Sequence, residues 1–236
     1  MLSFAAVSLG RGGLPSCRVC SPSESVVLRP TSEVLVDVRQ CVRTWTQGPG
    51  PNVSLTGADA FGHSELPALV SQCVSAGVSR LRLTTAGAVL SHAANAGGSI
   101  DAGVRHVEVV ALSAAQGLEP LSAAPSFAAV LDGIGAYLDA GRERGAAVAL
   151  VARVLACPHT YDSVPTTVAA LGNAGALAVT VELIGATRPE PAWARSVVDS
   201  GVVNRAWVTI EDSRGGIPSS IASDDPLSAS RAWYPV

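Results

Sequence analysis

Asn52-Val-Ser-Leu-Thr56, Ser64-Glu-Leu-Pro-Ala-Leu-Val-Ser-Gln-Cys-Val-Ser-Ala76-Gly77 and Arg80-Leu-Arg-Leu-Thr84 make up one repeating unit of this chain. The first and third runs are short and alternate apolar with polar residues, as strands do. The middle run is longer, carries apolar residues at helical spacing and closes on glycine. The same rhythm continues in both directions. Strands are expected at Ser3 to Leu9, Asn52 to Thr56, Arg80 to Thr84, His106 to Leu112, Ala147 to Leu155, Leu177 to Ile184 and Arg205 to Glu211. Helices are expected near Ser32 to Trp45, Ser64 to Ala76, Ala88 to Ala102, Ser126 to Arg144, Ser163 to Ala174 and Ala192 to Ser200. Several start at Ser or Thr, which can cap the free amides of the first turn. Gly77, Gly103, Gly145, Gly175 and Gly201 punctuate the approach to the next strand. Strands alternating with helices predict an α/β fold, a (β/α) partial barrel of about six to seven parallel strands. It occupies residues 1–212 as one domain, with 213–236 as a tail that packs on the barrel or on a partner.

Composition agrees with a single large core and excludes several activities. The chain has 236 residues, 48% of them hydrophobic, and a mean hydropathy of +0.35, enough to bury a barrel-sized core. Only 15% of residues are charged and the net charge is -3, so no basic surface is available for nucleic acid. All 16 cationic side chains are arginine. Without lysine there is no Schiff-base aldolase, no pyridoxal enzyme with its own lysine and no P-loop hydrolase. Five cysteines do not make a dense disulfide framework, and no apolar stretch is long enough for a membrane span, so a cytoplasmic protein is expected.

Strand parity separates two faces. In the sixth predicted strand Leu177, Val179, Val181 and Leu183 share one face, while Ala178, Thr180 and Glu182 share the other. The polar parity should be the barrel interior. Ser54, Thr56, Arg82, Thr84, Glu108, Arg153, Thr209 and Glu211 fall on it too. Buried charges are costly unless paired, so Glu108, Arg153, Glu182 and Glu211 imply either an internal salt-bridge network or a polar ligand site. Solvent-exposed strand ends are the plainer alternative.

Cys17-Arg-Val-Cys20 lies in the long loop after the first strand, and such a thiolate pair suits a zinc half-site, an iron–sulfur cluster or a redox disulfide. Ser54-Leu-Thr-Gly-Ala-Asp-Ala-Phe-Gly-His-Ser-Glu-Leu-Pro-Ala-Leu-Val70 resembles the "GGEP, then His-Pro-Glu-Leu" segment of radical S-adenosylmethionine enzymes. Val78 to Leu90 is similar to the third-strand segment of that family, with Thr85-Ala86-Gly87 where a "TNG" turn stands. The likeness continues through Gly103-Val-Arg-His-Val-Glu-Val109 and spans about residues 1–212.

In that family, C-x3-C-x2-C holds a [4Fe-4S] cluster whose open iron binds S-adenosylmethionine, and reductive cleavage gives a 5'-deoxyadenosyl radical. Here Cys17 and Cys20 match the last two positions and Gly13 the first. Glycine supplies no thiolate. Gly57 matches the first glycine of the second motif, Ala58 replaces the next and Asp59 replaces the Glu. The resemblance assigns the carboxylate of Asp59 to the methionyl ammonium, and makes Thr56, Gly57, Ala58, Asp59, Thr85 and Glu108 the cofactor-binding set. Three matching sites have drifted together, which implies degenerate cofactor binding on a retained scaffold.

Three readings follow. The first is a non-catalytic binding or partner subunit, beside an active radical S-adenosylmethionine relative or a peptide or small molecule. The second is a working enzyme with its [4Fe-4S] cluster completed by an unusual ligand such as Cys157, with Arg153 and Glu182 orienting cofactor or substrate charges. The third is a zinc barrel using Cys17, Cys20, Cys157 and His159, since Cys157-Pro-His159 follows the fifth strand. Against it stands the plain reading, in which Cys157 packs as a small apolar residue and His159 caps the next helix.

Overall fold

The computed structural model describes residues 4–12, 26–46, 50–112, 125–184 and 190–212. Gly13, Cys17, Cys20 and the tail 213–236 lie outside the described residues. The elements run β1 (Ala5–Gly12), β2 (Val27–Leu28), α1 (Thr31–Thr44), β3 (Asn52–Ala58), α2 (Leu66–Ser75), β4 (Arg80–Thr85), α3 (Ala93–Asp101), β5 (His106–Leu112), α4 (Phe127–Glu143), β6 (Ala149–Ala156), α5 (Val164–Asn173), β7 (Ala178–Leu183), α6 (Pro191–Val203) and β8 (Trp207–Asp212). Short 3-10 turns at Ala60–Gly62, Ala88–Ser91 and Tyr161–Ser163 lead out of β3, β4 and β6.

The eight strands form one sheet in the order β2-β1-β3-β4-β5-β6-β7-β8. From β1 and β3 onward every neighbour pair is parallel. Because the chain steps in one direction and such crossovers are right-handed, the helices fall on one side of the sheet. The sheet does not close, so the architecture is the expected partial barrel with seven parallel strands among the described residues. β2 was not expected. It is a two-residue antiparallel strand against Gly10 and Arg11 of β1, too short to carry a period that sequence could reveal.

The parity expectation is met. Leu55, Leu83, Val109, Val154 and Val181 point at the helices and are buried, with Val38, Leu69, Ile100, Ile134, Val168 and Val197 packed on them. The opposite face carries Ser54, Arg82, Thr84, Glu108, Arg153, Thr180 and Glu182, with Val110, Val151 and Leu155 among them. Four helices end as the glycine punctuation implies. After α2 the Gly77 amide donates to the Val74 carbonyl (3.0 Å) and the Val78 amide to the Cys73 carbonyl (3.1 Å), the paired bonds of a Schellman closure. The same pattern closes α3, α4 and α5 at Gly103, Gly145 and Gly175, all with positive φ.

Two local expectations are corrected. Gly201 does not terminate a helix; it lies inside α6, where an added Cβ would stand 2.0 Å from Val208 Cγ2. The same closing bonds fall instead on Arg205 and Ala206, and Arg205 takes the left-handed conformation at φ 60. Serine capping holds for α4, where Ser126 Oγ accepts from the Ala129 amide (3.2 Å), but Ser163 makes no such bond and Pro30 precedes α1.

Candidate functional site

The parallel strands deliver their C-terminal ends to one rim, where α/β proteins of this kind place binding residues. Gly57 sits near that end of β3 at φ 87, and a Cβ there would lie 2.5 Å from the Gly10 carbonyl oxygen and 2.9 Å from Ser8 Oγ. Only glycine lets β3 pass β1 so closely. Thr56 is half-buried and Ala58 fully buried. Asp59 follows at the strand exit, and its carboxylate is occupied from two sides. Oδ1 accepts from the Phe61 amide (3.0 Å), capping the 3-10 turn. Oδ2 accepts from the Thr85 hydroxyl (3.1 Å) and the Ala86 amide (2.9 Å) at the end of β4. Thr85 Oγ1 in turn accepts from the Gly87 amide (3.2 Å). Asp59 is thus a latch between adjacent strand ends. Burial raises its pKa above the ordinary value of 3.8, against the lowering effect of these three donors.

His63 completes the rim on the β2 side. It is buried, its Nδ1 accepts from the Glu65 amide (3.2 Å) and its Nε2 faces the Arg29 carbonyl oxygen (3.1 Å). Those partners require the neutral tautomer with the proton on Nε2. It is a turn-forming residue at the entry to α2.

On the polar face, Arg153 of β6 lies between two carboxylates. Its Nη2 donates to Glu108 Oε1 (2.9 Å) and its Nη1 to Glu182 Oε2 (3.2 Å). Glu108 also accepts from the Thr84 hydroxyl (3.2 Å) and is 5% exposed. The attraction of the two glutamates outweighs burial and holds the Arg153 pKa above its usual value. Glu211 stands in register with Glu182 on the next strand. The structure therefore brings Glu108, Arg153 and Glu182 together as one ion-pair network, two carboxylates on a single guanidinium. Thr84, the hydroxyl that completes Glu108, shares the polar parity in the sequence, yet only the Thr84–Glu108 register reveals the contact.

Cys157 and His159 do not share an environment. Cys157 is 3% exposed in the turn after β6, with its amide donating to Thr160 Oγ1 (3.0 Å), whereas His159 is exposed. Thr160, not His159, stands at the cap of the following 3-10 turn. Among the described residues no group of three or more His, Cys, Asp or Glu could hold a metal ion. Cys73 is fully buried in the core, which pushes its thiol pKa up to about 12, so it is a packing residue. No helix among the described residues is long and apolar enough to cross a membrane.

No protein-family model matches the chain, and no curated protein matches it in sequence. Solved structures do match. SuiB of Streptococcus suis bound to S-adenosylmethionine superposes with a TM-score of 0.61 at 10% identity, over 87% of this chain and 49% of SuiB. SuiB bound to the precursor peptide SuiA gives 0.61 at 11% identity, over 89% and 49%. TsrM of Kitasatospora setae, a radical S-adenosylmethionine methyltransferase with cobalamin and a [4Fe-4S] cluster bound, gives 0.53 at 15% identity, over 76% and 36%. The chain spans about half the length of SuiB. Its fold is radical S-adenosylmethionine-like.

Proposed function

We propose that this chain is a radical S-adenosylmethionine-like binding subunit that no longer generates the radical. The observation that carries the reading is the engagement of Asp59. The carboxylate that the family resemblance aligns with a methionyl ammonium accepts instead from Phe61, Thr85 and Ala86 of its own chain. A carboxylate has about four lone-pair sites, and three are filled here by donors that hold the strand ends. Gly13 adds a second misfit, since the first cluster position has no thiolate. These residues do not fit S-adenosylmethionine on a three-cysteine [4Fe-4S] cluster.

The remaining polar face suits recognition by hydrogen bonds, because Arg153 already pairs with both Glu108 and Glu182. Peptides are the favoured ligand class. SuiB, which matches this chain in fold, is found with the precursor peptide SuiA. A partner chain would then supply any chemistry.

The test is iron and sulfide content, with the visible spectrum, after anaerobic purification and reconstitution, beside a Cys17→Ala, Cys20→Ala control. The expected result is no cluster and no 5'-deoxyadenosine. About four irons and four sulfides per chain, lost in the control, would overturn the proposal in favour of an active enzyme. One zinc lost in the same control would point to the site built from Cys17, Cys20, Cys157 and His159, and would also overturn it.

A further inference from the structure

The opposite pole of the sheet, where the strands begin, gathers Arg80 and Arg82, which form no salt bridge among the described residues. Arg80 and Arg82 of β4 occupy the polar parity, and Arg82 is in register with His106, the first residue of β5. The Arg82 guanidinium lies over the Phe4 ring, 4.5 Å from its centroid, and the same ring meets His106 edge-on at 5.9 Å. Arg82 Nε donates to Ser54 Oγ (3.0 Å), and its two terminal nitrogens have no partner among the described residues. Arg80 likewise pairs with no carboxylate among them.

The groups facing His106 are few. β4 presents Arg80, Arg82 and, further along, Thr84; β6 presents Ala149, Val151 and Arg153; β5 itself presents Glu108. Glu108 attracts Arg82 electrostatically, but its oxygens are taken by Thr84 and Arg153. Burial, followed by repulsion from Arg80 and Arg82, lowers the pKa of His106 and keeps the imidazole neutral near pH 7. The half-buried Arg82 guanidinium and the His106 imidazole, braced by Phe4, with the Arg80 cation on the same face of β4, supply positive charge and N–H donors of the kind that bind a tetrahedral dianion.

We propose that Arg80, Arg82 and His106 form a phosphate-binding site at the N-terminal pole of the sheet, separate from the rim. The phosphate group is either free or carried as an ester. The site does not depend on the function proposed above.

The experiment follows the His106 ring resonances of the full chain by NMR, assigned by their loss in His106→Gln, during titration with inorganic phosphate and with glycerol phosphate. Sodium chloride at matched ionic strength is the control. Phosphate is expected to shift these resonances saturably and to raise the His106 pKa, because a bound dianion offsets the two guanidinium charges. Arg80→Gln, which breaks no hydrogen bond among the described residues, is expected to weaken binding at least about tenfold, the loss typical of one charge-assisted hydrogen bond. Arg82→Gln should do the same with an unchanged circular dichroism spectrum. Tighter binding of the ester than of inorganic phosphate assigns an esterified ligand, and equal affinity assigns the free ion. A response no greater than that to chloride, or full affinity retained in Arg80→Gln, overturns the proposal.

Discussion

Replacing Asp59 with alanine tests whether the rim carboxylate is a structural latch. The substitution removes the acceptor for two backbone amides and one hydroxyl. Ala86 is 5% exposed and Thr85 fully buried, so water replaces the lost acceptor poorly. A buried donor left unsatisfied costs about 1–3 kcal/mol. Against this, the variant is relieved of an ionised group whose burial outweighs its hydrogen bonds, since the Asp59 pKa is raised. The balance is a loss of about 2–4 kcal/mol, which for a domain of this size lowers Tm by about 5–15 °C. Urea unfolding followed by circular dichroism measures it, and pH supplies a second readout. The folded chain keeps the Asp59 proton at pH values where the unfolded chain, near its ordinary 3.8, has released it. This group's contribution to stability therefore falls as pH rises from 3.8 to the raised folded value, and the whole penalty is present above it. Asp59→Asn carries no titrating group and should flatten that part of the profile. A loss below about 0.5 kcal/mol in Asp59→Ala, with an unchanged pH slope in Asp59→Asn, would refute the latch and with it the main support for the proposed function.

Two further predictions concern the polar face and the last helix. Arg153→Met leaves Glu108 buried beside Thr84 without its cation; because the Arg153 side chain is 35% exposed, the cost is set at about 2–3 kcal/mol, below that of a fully buried pair. Adding Glu108→Gln should recover about 1–2 kcal/mol, and a double-mutant cycle with coupling under about 0.5 kcal/mol would contradict the network. Arg205→Gly replaces a side chain held at φ 60 and should stabilise the chain by about 0.5–1 kcal/mol, net of the entropy that glycine adds to the unfolded state. A lower Tm than the parent's would show that the Arg205 side chain contributes more than its backbone conformation costs.

The sequence by itself determined the alternation of strands and helices, the glycine closures and the division of each strand into an apolar and a polar face. These are local properties, set by φ preferences and by periods of 2 and 3.6 residues, and they are written in contiguous residues. β2 escaped because two residues carry no period, and Arg205 because a left-handed arginine has no compositional signal. What each polar side chain touches was decided only by the tertiary structure. Arg153 lies opposite Val110 and Thr180, not opposite a glutamate; it reaches Glu108 and Glu182 diagonally, two residues before the one and two after the other. That geometry depends on the register of three strands, which no single strand specifies. In the same way, Asp59 looked like a ligand carboxylate from its neighbours in the chain, and became a latch only because folding carries Thr85 and Ala86, 26 and 27 residues away, to the adjacent strand end.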